Sequence, residues 1–340
     1  MQSERLQKLL RWTAYAALAF FSFLFFLYQT FPYRRLFDAF SVPVQRATQT
    51  RVQMKDLRPY YLTGVHIQDL NLQRLVPKGI AEVQIPQMRA RLSIFPLLWG
   101  SLSASFFAEI ASGEINGSFS RSRKNEISVQ ANLDGLQLAL LGPTSGRMLK
   151  NPDAKPLLEI LFAPVFGAVR GDINLDLLPP NNAPAPQGKN KRPAFRPSPN
   201  AIDINRSTGK IKLTIRNFSI GPGYFPAGQM GELPVPRLNL GTLNVEIHMQ
   251  KGIADLSNVR AFGGDIDLHV TGKIQLNPNF RYSIFRGDIR FKIEKDFINS
   301  LKPDSLLKVG LGALPTPKPD GYITYNVYFP FYGQPRFTPR

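Results

Sequence analysis

Along most of this chain apolar and polar side chains take turns. The clearest stretch is 265–276, where Ile266, Leu268, Val270, Ile274 and Leu276 share one parity and Asp265, Asp267, His269, Thr271, Lys273 and Gln275 the other. Successive side chains of an extended strand point to opposite faces, so this spacing predicts a strand with one buried and one wet face. The same alternation groups Leu243, Val245, Ile247 and Met249, then Ile127, Val129, Ala131 and Leu133, and also Ile211, Leu213 and Ile215. It returns in Ile289, Phe291 and Ile293 and in Ile323, Tyr325, Val327 and Phe329, with weaker versions over 65–72, 88–94 and 173–177. Asn116-Gly117, Asp134-Gly135, Lys251-Gly252, Gly263-Gly264 and Asp320-Gly321 have the composition of tight turns, which predicts short links and antiparallel neighbours.

Helical or unbroken apolar patterns are few. Residues 12–31 carry no charge, and at about 1.5 Å per residue they span roughly 30 Å, the thickness of a bilayer's hydrocarbon core. Trp12, Tyr28 and Tyr33 stand where interfacial aromatic belts are expected. Arg5, Lys8 and Arg11 precede the run and Arg34 and Arg35 follow it, so charge alone orients it little. The short tail, 1–11, is the part expected inside, with everything else beyond the helix. A cleaved signal peptide would have a shorter apolar region ending at small residues, whereas this run ends in Tyr28-Gln29-Thr30-Phe31-Pro32. Over 33–48, Leu36, Phe37, Phe40 and Val44 recur at helical spacing, interrupted by Pro43, which predicts a short helix capping the sheet. Residues 155–168 are apolar but broken by Pro156 and Pro164. A helix is predicted over 295–301 with Asp296 as its cap, continuing over 303–311 with Asp304 in the first turn.

That is too little helix to cover ten or more strands. The expected fold is therefore mainly β, an elongated, curved antiparallel sheet preceded by one transmembrane helix. Its apolar face either closes on itself as a sandwich or stays open as a groove for acyl chains. The candidate lining of such a groove is Val245, Ile247, Ile266, Leu268, Val270, Ile289 and Phe291. The segment 179–200 holds seven prolines together with Lys189, Lys191, Arg192 and Arg196. Such a run is extended and solvated. It divides two strand-rich segments, 33–178 and 201–340, which are read as one continuous sheet with a loop inserted.

Composition narrows the partners. The chain of 340 residues is 43% hydrophobic and 19% charged, which suits a folded protein. It has no cysteine, hence neither disulfides nor thiol chemistry, and its net charge of +18 favours anionic surfaces such as lipid headgroups. Candidate chemistry is sparse. His66, His248 and His269 each sit between apolar neighbours on the polar parity of a strand, far apart, without the convergence a metal or catalytic site needs. No glycine-rich phosphate loop ends in Lys-Ser/Thr, and Gly221-Pro222-Gly223 reads as a turn. No serine occupies a Gly-x-Ser-x-Gly elbow. Asp265 and Asp267 share the wet face of one strand, where alternation alone puts them. Aromatic and basic residues interleave at Phe280-Arg281-Tyr282 and over 329–340, as in single-strand nucleic-acid readers, but the upstream anchor argues for the envelope instead. No enzyme, metal or cofactor is expected.

Met54-Lys55-Asp56-Leu57-Arg58-Pro59-Tyr60-Tyr61-Leu62-Thr63-Gly64-Val65, running into Ile67-Gln68-Asp69-Leu70-Asn71-Leu72 after Phe31-Pro32-Tyr33, resembles the type II secretion system protein N family (GspN) in its deltaproteobacterial form. Leu256-Ser257-Asn258-Val259 with Phe262-Gly263-Gly264-Asp265 resembles the wider group of AsmA-like envelope proteins. The first resemblance implies a non-enzymatic, single-pass inner-membrane accessory of type II protein secretion, its bulk in the periplasm, docking on other secretion components. The second implies a long curved sheet with an apolar groove, and a lipid-binding or lipid-transfer role with membrane lipids as partners. Neither brings catalytic residues, and neither implies a nucleic-acid partner.

Overall fold

The computed structural model describes residues 50–138, 159–180 and 202–340 except 62, 77–78, 161–162, 227–231, 302–307, 309–310 and 312–313, and within 1–49 only Trp12, Thr13, Tyr15, Leu18, Ala19, Ser22, Phe23, Phe26, Val42 and Gln45. All ten of those N-terminal positions are helical. The tail 1–11, most of the apolar run 12–31, most of 33–48 and nearly all of the proline-rich segment lie outside the described residues. Among the described residues no helix is long and apolar enough to cross a membrane.

Alternation becomes strands almost everywhere it was read. In chain order these are β1 (Thr50–Gln53), β2 (Asp56–Tyr60), β3 (Gly64–Val76), β4 (Gly79–Leu92), β5 (Leu102–Ile110), β6 (Gly113–Arg121), β7 (Ile127–Gln137), β8 (Glu159–Ile160) and β9 (Ala163–Leu178). They continue with β10 (Asp203–Ile220), β11 (Gly223–Pro226), β12 (Glu232–Val235), β13 (Leu238–Gln250), β14 (Ile253–Phe262), β15 (Ile266–Gln275), β16 (Ile284–Ile293), β17 (Ile323–Pro330) and β18 (Arg336–Pro339). Sixteen of them form one sheet in the order β1-β3-β4-β5-β6-β7-β9-β10-β13-β14-β15-β16-β17-β18, with β2 also on β3 and β8 on β9. Every pairing is antiparallel, and β11 and β12 make a separate hairpin. The two strand-rich segments meet directly, β9 against β10, so the sheet runs across the proline-rich insertion without a break.

Among the described residues the short helices α1 (Ile94–Leu98) and α2 (Lys295–Ser300) and a 3₁₀ turn at Phe280–Tyr282 accompany the sheet. Of the helix expected over 303–311 only Lys308 and Leu311 are described, both helical, and Asp304 lies outside the described residues. Glu294, not Asp296, is the residue at the start of α2, and Asp296 lies in its first turn. Ile94, read as the end of a strand, begins α1 instead. Glu159–Ile160 and the part of the apolar stretch from Ala163 onward are extended, and they join the sheet as β8 and β9.

Two predicted turns are not turns. Asn116-Gly117 lies inside β6, and the chain reverses earlier, at Ala111 and Ser112, both left-handed with φ of 51° and 59°. Gly117 is needed for close approach, because a Cβ there would collide with the Phe106 ring of the next strand. Asp134-Gly135 is a bulge within β7: three residue steps separate Leu133 from Leu136, against two between their partners Gly171 and Val169. Lys251-Gly252 is a true hairpin turn with both residues left-handed, as read.

Among the described residues buried apolar side chains gather into two clusters, with others such as Phe285, Phe297 and Val327 buried apart from them. Val165, Phe218, Ile220, Leu240 and Ala261 form one buried cluster, and Ile67, Leu70, Ile85 and Ala108 form another near the N-terminal edge. Between them, most apolar side chains are only half-buried. A sandwich would put a second sheet over that face and bury it. Among the described residues sixteen strands form one large antiparallel sheet, and only the β11–β12 hairpin stands apart from it.

Candidate functional site

Register shows how far the apolar parity extends. Leu57 of β2 pairs with Ile67, Ile67 with Met88, Met88 with Ala108, Ala108 with Ile115 and Ile115 with Leu133. The line continues through Gly171, Leu213 and Val245 to Val259, Val270, Ile289 and Tyr325. Thirteen strands thus contribute to one row without a charged side chain, because directly paired residues share a face. A parallel row runs from Val65 through Phe106, Ile173, Ile211 and Ile247 to Val327. A bulge at Ser257 of β14 keeps the two rows in phase by absorbing one residue between Leu256 and Val259.

All seven candidate lining residues fall on this face. Val245, Val270 and Ile289 occupy the first row and Ile247 the second. Leu268 and Phe291 pair one step further along, and Ile266 pairs with Ile293 beyond them. Each of the seven is half-buried, as is every member of the first row from Ile115 to Tyr325. Phe291 stacks on Tyr325 with ring centroids 6.2 Å apart and planes 4° apart. Leu213, on the apolar parity but outside the candidate lining, belongs to the same surface, as do Val259 and Ile115, which the alternation does not single out. In β14 the bulge residue Ser257 breaks the alternation, and in β6 glycine and serine dilute it.

The opposite face is charged and paired. Lys212 and Lys210 approach Glu246 at 3.2 and 3.6 Å, and Arg170 approaches Asp134 at 2.6 Å. The hydrogen bond from Lys212 holds the Glu246 carboxyl below the ordinary carboxylate range, and Glu246 in turn raises the Lys212 ammonium. Asp267 accepts from Tyr322 Oη at 2.9 Å and from Arg260 at 3.3 Å, and the first of these bonds raises the Tyr322 hydroxyl. Arg290 binds Asp320 and lies over the Tyr322 ring, 4.4 Å from its centroid. Asp265 accepts from the Asn239 amide at 2.7 Å. The two aspartates therefore have separate structural partners and do not converge on one point.

The histidines lie on this polar face and stay apart. His66 pairs with Arg89, His248 contacts Glu246 at 3.2 Å, and His269 lies between Arg260 and Arg290. Among the described residues no group of three His, Cys, Asp or Glu side chains is placed to hold a metal. What the arrangement can do chemically is separate: a wet, ion-paired surface on one side and a continuous apolar one on the other. Scans against protein-family models, curated proteins and solved structures return no match.

Proposed function

We propose that this protein binds the acyl chains of lipids along the apolar face of its sheet, as a non-enzymatic, lipid-handling protein of the cell envelope. The observation that carries this reading is the uncharged row from Leu57 to Tyr325, half-buried over most of its length. Leaving such a surface in water costs about 25 cal/mol per Å², and soluble monomers rarely expose apolar patches beyond several hundred Å². Each acyl methylene moved onto it gains about 0.8 kcal/mol. Strands about 4.8 Å apart make the fourteen-strand path roughly 60 Å wide, and their right-handed twist coils so wide a sheet into a trough. Residues 12–31 serve as an inner-membrane anchor in this reading, with 1–11 in the cytoplasm and the sheet in the periplasm.

The resemblance of residues 54–72 to the GspN family supports a second reading, docking on type II secretion components. Lipid retention separates the two. The full chain and a Val245→Asp/Val270→Asp variant are exchanged through detergent, and bound phospholipid is counted by native mass spectrometry. Lipid at a fixed ratio in the parent and its loss in the variant are expected. Equal lipid in both would reject the acyl-chain reading and leave docking.

A further inference from the structure

Beyond residue 50, fourteen large apolar side chains among the described residues are exposed, and thirteen lie at the same end of the strands, Phe262 being the exception. The densest group is the link between β4 and β5. There Leu92, Ile94, Leu97, Phe95, Leu98 and Trp99 are all exposed, the last three by 75%, 70% and 63%. Helix α1 is five residues long, has no side-chain cap and buries none of its residues. A helix that short is unstable by itself in water, and backbone bonds from Trp99, Gly100 and Ser101 to Pro96 and Leu97 are what close it. Tyr61, in the adjoining turn, is also exposed, and Leu92 donates its amide to Thr63 of that turn at 3.3 Å.

Cations surround this patch. Arg91 lies over the Tyr61 ring, 5.4 Å from its centroid. Arg123 packs beside Gly100, where a Cβ would meet its Nε at 2.8 Å. Lys124 stands in the same β6–β7 turn, and residues 83–108 contain no acidic side chain.

We propose that the β4–β5 link docks on a membrane with anionic headgroups. Helix α1 and Trp99 enter the boundary between headgroups and acyl chains, while Arg91, Arg123 and Lys124 meet the phosphates. An exposed aliphatic and aromatic wedge with a basic rim is the pattern of interfacial binding, and aromatic rings favour that depth. Leu92 pairs with Ala104, and Ala104 with Phe119, on the apolar face, so docking sets the margin of that face against lipid. The inference stands without the acyl-chain reading, since a secretion accessory would use the same contact.

The chain has two tryptophans, so Trp12→Phe leaves Trp99 as the reporter in the full-length protein. This variant is reconstituted into phosphatidylcholine–phosphatidylglycerol vesicles, with or without bromine on the acyl chains. Brominated lipid is expected to remove most of the Trp99 emission, while aqueous acrylamide removes little. Arg123→Glu with Lys124→Glu is expected to reverse that ranking, with an unchanged strand signal in circular dichroism. Acrylamide quenching without bromine quenching would overturn the proposal. So would shielding from both, because protein would then cover the wedge. Bromine quenching that survives the charge reversal would overturn the headgroup contact.

Discussion

Gly117 faces Phe106 on one side and Ala131 on the other, with no room for a methyl group. Gly117→Ala therefore overpacks the apolar face and is expected to destabilise the fold by about 1–3 kcal/mol, read as a lower urea midpoint. On the polar face the sign of the pH response follows from Glu246 and Lys212. The carboxyl is depressed in the folded state, so its contribution is present above the unfolded value of about 4.3 and lost as pH falls through the lower folded one. The ammonium is raised, so its contribution is complete below about 10.4 and lost as pH rises through the higher folded value. Lys212→Ala is expected to move the Glu246 titration upward, as followed by carboxyl NMR; an unmoved titration would mean the pair is not formed in solution.

Among the elements, the β9–β10 junction shows how the proline-rich segment is tolerated. Ser207, fully buried, accepts from the Leu178 amide at 3.1 Å and donates to the Asp203 carbonyl at 2.8 Å. Those bonds fix the two ends of the insertion beside each other. Replacing 182–200 by a short glycine–serine link is expected to leave the melting temperature nearly unchanged, because loop closure depends only slowly on length. Ser207→Ala is expected to cost about 1–3 kcal/mol, since it orphans a buried amide; a neutral result would show that the junction is held elsewhere. Most of this sheet was legible from period two, which placed β13, β15, β16 and β17 on the correct parity. Turn chemistry misled where packing overrode it. Asn116-Gly117 reads as a hairpin but supplies a missing Cβ, while Ala111 and Ser112 turn the chain without any glycine. The bulges at Asp134-Gly135 and Ser257 shift parity by one, so Leu136 and Val259 join the apolar face at positions simple alternation does not give. Helix α1 was missed because Pro96 and a short apolar run carry neither period for long enough.

For the whole molecule, the sequence left open whether the apolar face is covered. Coverage depends on contacts between distant strands, and alternation along one strand is the same in a sandwich and in a single layer. The fourteen-strand path, with β1 and β18 at its two ends, is open rather than closed into a barrel. Adjacent residues of β13 then face different worlds, Ile247 the apolar row and His248 the ion-paired surface around Glu246. The most direct measurement places a photo-crosslinking amino acid at Ile247 or at His248 in the full-length protein in cells, followed by mass analysis of the adducts. Phospholipid adducts from Ile247 and none from His248 are what acyl-chain binding predicts. Protein adducts from Ile247, or lipid adducts from both positions alike, would contradict it.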